Sequence, residues 1–180
     1  MVTIRRLATH ELRPSEIEAI RAIMTAAWPD PDEGFTDDDW AHGLGGLHVL
    51  AEEDGEIVAH ASVVEREIHV AGRPLRTGYV EAVATRPDHE NRGIGSAVME
   101  AIDEHIDATY ELGALGTGRL SFYERLGWVR WRGPTSVRTA DGEQRTPDED
   151  GFVMVRRTPT SPPLDLDAPI SCDWRTGDVW

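Results

Sequence analysis

Tyr79-Val80-Glu81-Ala82-Val83-Ala84-Thr85 runs directly into Arg86-Pro87-Asp88-His89-Glu90-Asn91-Arg92-Gly93-Ile94-Gly95-Ser96, and this stretch decides the fold. The first seven residues read as a strand, and the polar segment after them as a loop. Gly93-Ile94-Gly95 then opens a helix. From Gly93 to Thr109 the apolar residues Ile94, Val98, Ile102 and Ile106 recur every four positions, with Glu100, Asp103, Glu104 and Asp107 elsewhere, so the helix has one apolar face. Glycines at such a junction let a phosphate approach the backbone, where the unpaired N–H groups and the positive dipole end of the helix hold it. A Gly-x-Gly alone is a weak signal. Its place between a strand and a long helix raises its weight. No Gly-Lys-Ser/Thr follows, so it is not a P-loop, and the six-residue dinucleotide fingerprint is incomplete.

Working outward, residues 2 to 7 read as a strand, and Pro14 to Ala27 as an amphipathic helix with Ile17, Ile20, Ile23 and Met24 on one face. Trp28-Pro29-Asp30-Pro31-Asp32-Glu33-Gly34 breaks that helix and forms a loop. Thr36 caps a second, short helix through Trp40. His48 to Glu52, Ile57 to Val70 and Leu75 to Thr85 are strand-like, with Asp54-Gly55 and Gly72 as turns. After the long helix come a strand at Leu112 to Leu115 and a helix from about Arg119 to Leu126 that Gly127 ends. Trp128 to Trp131 resumes a strand. Thr135 to Asp150 is polar and turn-rich, and Phe152 to Arg156 is a last strand. The tail from Thr158 carries prolines and aspartates, and its composition predicts disorder.

The chain has 180 residues and 39% hydrophobic content, which suits one soluble globular domain. No apolar run approaches a membrane span, and residues 1 to 7 lack a secretory signal, so a cytoplasmic protein with no membrane partner is expected. The single Cys172 excludes an internal disulfide and a cysteine-based metal site, and no metal is expected. Eighteen basic residues, all arginine, against thirty-three acidic ones give a net charge of −15. That argues against nucleic acid as a partner and suits a cationic substrate. GC-rich codon usage or adaptation to high salt would produce the same balance.

The strand–loop–helix unit resembles the pyrophosphate-binding motif of the GNAT acetyltransferases, Arg/Gln-x-x-Gly-x-Gly/Ala, with Glu90 standing at the motif's first position. The resemblance implies an α+β fold: a mostly antiparallel, splayed sheet of about six or seven strands with helices on both faces. It implies acetyl-CoA as cosubstrate, with Val83, Ala84 and Thr85 along the pantetheine arm. Glu90, Asn91, Arg92, Gly93, Ile94, Gly95 and Ser96 would hold the pyrophosphate. A second segment, Ser121-Phe122-Tyr123-Glu124-Arg125-Leu126-Gly127-Trp128, resembles the family's stretch in which a tyrosine faces the cofactor sulfur. A phenol there can protonate or stabilise a departing thiolate. Glu81, a carboxylate inside an apolar strand, suits the base that takes the ammonium proton, directly or through water. A solvated, outward-facing strand residue fits the same pattern.

Five further stretches, 35–40, 44–48, 133–137, 145–151 and 172–180, resemble the aminoglycoside 2'-N-acetyltransferases of actinobacteria. That resemblance implies a carboxylate-rich acceptor wall formed by Asp39, Glu81, Asp148, Glu149, Asp178 and the Trp180 terminal carboxylate, with Gly34 at a position where relatives carry an acid. The backbone near Ala82 and Gly116 would position the sugar. It divides the chain into an acetyltransferase domain, 1–157, and a tail, 158–180, that folds back onto the acceptor site. Glu149 stands where relatives have aspartate, and Gly116-Thr117-Gly118-Arg119 is shorter than theirs. Dimerisation is common among relatives, which makes a homodimer a candidate assembly. Antibiotic resistance is one implied role, and acetylation of another cellular amine is a second. Alternative readings are a GNAT enzyme acting on another polyamine, amino sugar or peptide amine, or a module that holds cationic drug without turnover.

Overall fold

The computed structural model describes residues 1–30 and 34–180. Of the expected loop Trp28–Gly34, Pro31, Asp32 and Glu33 lie outside the described residues. The chain forms two compact units, Met1–Val64 with Val80–Glu104, and Glu65–Tyr79 with His105–Trp180.

In the first unit, β1 (Thr3–Ala8) pairs antiparallel with β2 (Leu47–Glu53), from Thr3↔Glu52 to Ala8↔Leu47. β2 pairs antiparallel with the first part of β3 (Glu56–Val70), and Leu50 lies opposite His60. Asp54 and Gly55 join them at φ 53° and 86°, the left-handed pair a two-residue hairpin needs. α1 (Pro14–Ala27) places Pro14 at its first turn, where the missing N–H costs nothing, and buries Ile20, Ile23 and Met24. These three pack with Leu12, Leu50 and Ala84. Glu16 is buried at the foot of α1, where it accepts from the Arg13 backbone N–H at 2.8 Å, Arg13 Nη2 at 2.8 Å and Arg5 Nη1 at 2.9 Å. The Arg13 guanidinium is the main cause holding its carboxyl down to about 2. α2 (Asp37–His42) runs two residues beyond the expected Trp40, capped by Thr36. The unit is completed by the end of β4 (Arg73–Thr85) and most of α3 (Ile94–Thr109).

The second unit holds the rest of β3 and β4, joined through Ala71 and Gly72 at φ 49° and 77°. β5 (Leu112–Gly116) runs parallel to β4, and β9 (Val153–Arg157) antiparallel to β5. β6 (Val129–Arg130), β7 (Thr135–Thr139), β8 (Gly142–Arg145) and β10 (Ile170–Asp173) complete the order β6-β9-β5-β4-β3-β10-β7-β8. The sheet is therefore mixed, with β10 parallel to β7 and antiparallel to β3. The core includes Ile106, Leu112, Trp128, Trp131, Val155, Ile170 and Cys172.

Ten strands are present among the described residues, against the expected six or seven. The additional ones lie where composition misleads. The polar segment after Thr135 forms the β7–β8 hairpin, whose facing residues such as Arg138 and Glu143 are polar on both strands. The tail is not disordered: Ile170 and Cys172 are fully buried, and β10 completes its ladders on both sides. The expected helix Arg119–Leu126 shortens to α4 (Leu120–Glu124). A Schellman turn ends it, with the Gly127 N–H donating to Glu124 O at 3.0 Å and the Trp128 N–H to Tyr123 O at 3.1 Å.

Candidate active site

In the first unit, β4 carries Glu81 to Thr85. The β4–β5 ladder ends at Tyr79↔Ala114, although β4 continues to Thr85. Ala82 sits at φ 50°, a conformation a residue with a Cβ rarely adopts. Its carbonyl accepts from His60 Nδ1 at 2.8 Å, and the Glu81 carbonyl accepts from Ser62 Oγ at 3.3 Å. Glu81, Ala82, Val83 and Thr85 are half-buried and Ala84 is buried.

Beyond the strand, Arg86 pins the 3-10 turn Pro87–His89 by a two-pronged pair with Asp88 and a third bond to Glu56 at 2.7 Å. Asn91 (φ 59°) and Gly93 (φ 78°) bring the chain into α3. Space is open where a Gly93 side chain would stand. Gly95 and Ser96 are half-buried in the first turn, Ile94 anchors it in the core, and Glu90 and Asn91 are exposed. Left-handed residues before a sixteen-residue helix and an open face at Gly93 fit a pyrophosphate held by backbone N–H groups. Arg92 is engaged elsewhere, with Glu53 at 2.8 Å.

Asp39 completes a capping box at the start of α2, accepting at Oδ2 from the Thr36 N–H and Oγ1, both at 2.8 Å. A carboxylate in that role has a fixed direction. Gly34 lies against Asp30, whose carbonyl oxygen would be 2.5 Å from an added Cβ.

The second unit carries Tyr123, Gly116 and the acids of the C-terminal half. Tyr123 lies on α4, its ring edge-on to Phe122 and Trp128. Burial pushes its hydroxyl well above the ordinary tyrosine range, against a weaker opposing pull from Arg119. It is therefore protonated at neutral pH, and the same burial makes it a weaker acid, able to donate a hydrogen bond to a nascent thiolate. Burial also raises Glu149, helped by the negative charges of Asp178 and Asp148.

The chain end is held tightly. Trp180 is buried and its Nε1 donates to Thr146 Oγ1 at 3.0 Å. Arg66 Nη2 donates to Val179 O at 3.0 Å and Asp173 O at 2.9 Å, and Cys172 Sγ to Val179 O at 3.2 Å. Arg175 Nε donates to Asp178 O at 2.7 Å. A Cβ added to Gly116 would come within 3.1 Å of the Trp180 terminal carbon and 3.5 Å of the Tyr79 hydroxyl oxygen. A side chain at Gly116 would therefore press on the Trp180 backbone.

The sequence pattern described as "Acetyltransferase (GNAT) domain" matches residues 8–130, well over half of the chain. The chain belongs to the GNAT acetyltransferase family. It is 41% identical over 182 residues to an aminoglycoside 2'-N-acetyltransferase of Mycolicibacterium fortuitum, covering 99% of this chain and 92% of the relative. Its fold is similar to that of the GNAT family N-acetyltransferase YhbS of Escherichia coli, solved with CoA (TM-score 0.64, 14% identity, 95% of this chain and 89% of that one). It is also similar to a Brucella melitensis GNAT acetyltransferase solved with acetyl-CoA (TM-score 0.61, 19% identity, 91% and 92%).

In this GNAT chain, the second unit brings together Gly116 with Trp180, and Asp148 and Glu149 with Asp178. Glu81, Ala82, Asp39, Gly34 and the glycine junction belong to the first. Sequence reading missed His60 and Ser62, which bond the Ala82 and Glu81 carbonyls, His48 and Thr9, which stand behind His60, and Arg66 and Thr146, which hold the tail. The legible signal for the histidines was polar residues inside apolar strands, in His48-Val49-Leu50 and Ala59-His60-Ala61.

Proposed function

We propose that the protein transfers the acetyl group of acetyl-CoA to the 2'-amino group of aminoglycosides. The observation that carries this reading is the likeness to the Mycolicibacterium fortuitum enzyme along nearly the whole chain, including the tail. The acid cluster of Asp148, Glu149 and Asp178 supports it, because an aminoglycoside brings several ammonium groups to such a wall. Asp39, Glu81 and Trp180 are further acceptor-binding residues, Gly34, Ala82 and Gly116 lend backbone, and residues 158–180 serve as the tail of the second unit.

Acetyl-CoA supplies the activated acetyl thioester. Val83, Ala84 and Thr85 offer strand backbone to its pantetheine arm, and residues Glu90 to Ser96 its pyrophosphate site. Glu81 takes the proton from the substrate ammonium, directly or through water, so that a neutral nitrogen attacks. Tyr123, holding its proton, donates to the departing sulfur. Aminoglycosides with a 2'-amino group are expected to release thiol from acetyl-CoA in the presence of the enzyme. Mass-spectrometric mapping of the product should place one acetyl group on the 2'-nitrogen. Inertness of every 2'-amino aminoglycoside, or acetylation at another position, overturns the reading.

A further inference from the structure

Two buried histidines stand behind the peptide that follows the proposed base. His48 and His60 are fully buried, and their rings lie 5.2 Å apart between centroids. The connected atoms are the Gly45 backbone N, Thr9 Oγ1 (2.8 Å), His48 Nε2 (2.8 Å from Thr9), His48 Nδ1 with His60 Nε2 (2.9 Å), and His60 Nδ1 with Ala82 O (2.8 Å). The carbonyl end of this chain and the neutrality of both rings determine where the protons sit, with the longer contact of Thr9 Oγ1 to Gly46 O, at 3.4 Å, as the one branch. A carbonyl oxygen only accepts, so His60 Nδ1 carries a proton and donates to Ala82 O. Burial makes the neutral ring the stable form, lowering His48 to about 4 and His60 to about 3. His60 Nε2 is therefore bare and accepts from His48 Nδ1–H. His48 Nε2 is bare in turn and accepts the Thr9 hydroxyl proton, while Thr9 Oγ1 accepts from the Gly45 N–H. Every hydrogen bond points one way, toward Ala82.

A chain that ends on a peptide carbonyl cannot pass a proton onward, because the carbonyl has none to release. Its effect is mechanical. Ala82 is held at φ 50°, a left-handed conformation that persists only where the surroundings over-determine it. Two residues on one face of β3 do this: His60 holds the Ala82 carbonyl and Ser62 holds the Glu81 carbonyl. Gly43, at the end of α2, packs into the same corner, where an added Cβ would be 2.9 Å from Ser62 Oγ and 3.8 Å from the Ala82 Cβ. We propose that Thr9, His48 and His60 form a positioning strut that fixes the Glu81–Ala82 peptide, and with it the direction of the Glu81 side chain and of the Ala82 backbone offered to the substrate. The strut rests on the reading of Glu81 as the base. None of the three residues touches the reacting atoms; they are positioning residues that act through Ala82.

The test pairs kinetics with a spectroscopic readout. His60→Leu removes the donor to Ala82 O, whereas His60→Asn keeps an N–H at the place of Nδ1 and loses the bond to His48. With a 2'-amino aminoglycoside and acetyl-CoA, His60→Leu should lower kcat by about 10- to 100-fold, since a small misplacement of a reacting group costs that much. The KM for acetyl-CoA should stay within about twofold, a shift too small to report a lost site. His60→Asn should recover part of the rate, because it restores the donor to Ala82 O without the His48 and Thr9 support behind it. A folded His60→Leu with wild-type kcat overturns the proposal, as does an Asn variant no better than the Leu variant. Nitrogen-15 spectra of the wild-type imidazoles need no substitution, so they decide the matter if His60→Leu fails to fold. Both rings should be neutral and protonated at Nδ1; a ring protonated at Nε2 overturns the strut. Wild-type protein that acetylates no aminoglycoside counts against the substrate reading instead, and the tautomers are still read without drug.

Discussion

Tyr123 and Glu149 are both pushed away from their charged forms by burial, with opposite consequences for their use. Tyr123 retains its proton through the whole range in which an enzyme works, so it does not suit the base, and it meets the departing sulfur as a hydrogen-bonded proton donor. Tyr123→Phe removes only the hydroxyl and leaves the edge-on contacts to Phe122 and Trp128. We expect kcat to fall by roughly 100-fold or more, the usual worth of a general acid. Both KM values and the melting temperature should hardly change, and a steady-state assay with a thermal melt checks all three. Glu149 holds its proton to higher pH than a free glutamate, because of burial first and the charges of Asp178 and Asp148 second. A bound polycation needs Glu149 ionised. The aminoglycoside KM should therefore rise as pH falls through that raised value. Glu149→Gln should show a higher KM at neutral pH and a flatter acid side, and wild-type-like pH dependence in this variant would remove Glu149 from the acceptor wall.

At the scale of elements, the tail depends on its clasp. Arg66 on β3 donates to two backbone carbonyls of the tail, and hydrogen bonds from a charged donor are worth about 1.5–3 kcal/mol each. Arg66→Leu should free the segment around Val179 and raise the aminoglycoside KM by about tenfold or more, as 1.4 kcal/mol is one decade. The KM for acetyl-CoA should not follow it. Asp178→Ala should show the same split, and equal effects on both KM values would make the tail only structural. Sequence alone could not reach this clasp. The glycine junction and α3 were legible because a strand, left-handed residues and a four-residue apolar repeat are local signals. Ala82 and His60 lie 22 positions apart, and Arg66 and Val179 lie 113 apart, so only the folded chain joins them. In the tail, prolines and aspartates set the composition, while Ile170, Cys172 and Trp180 do the packing. Averaging over the segment hid three buried residues that order it.

At the scale of the whole molecule, the buried histidines couple folding to pH. In the unfolded chain His48 and His60 titrate at their ordinary 6.5, but in the fold at about 4 and about 3. Between these values the unfolded state binds more protons, so stability falls as pH drops below about 6.5. Each histidine contributes a slope of at most about 1.4 kcal/mol per pH unit. Glu16 acts lower: held at about 2 against 4.5, it loses its contribution as pH falls from 4.5 toward 2. A net charge of −15 works the other way, because acid relieves repulsion among the many carboxylates. A comparison of wild type with His60→Asn cancels that shared background. Denaturant midpoints followed from pH 7 to pH 4 should fall more steeply in the wild type than in the variant, by up to about 1.4 kcal/mol per pH unit below pH 6. Parallel curves would mean that His60 is already protonated in the fold near neutral pH. Its Nε2 could then no longer accept from His48, and the one-way chain that holds Ala82 would be lost.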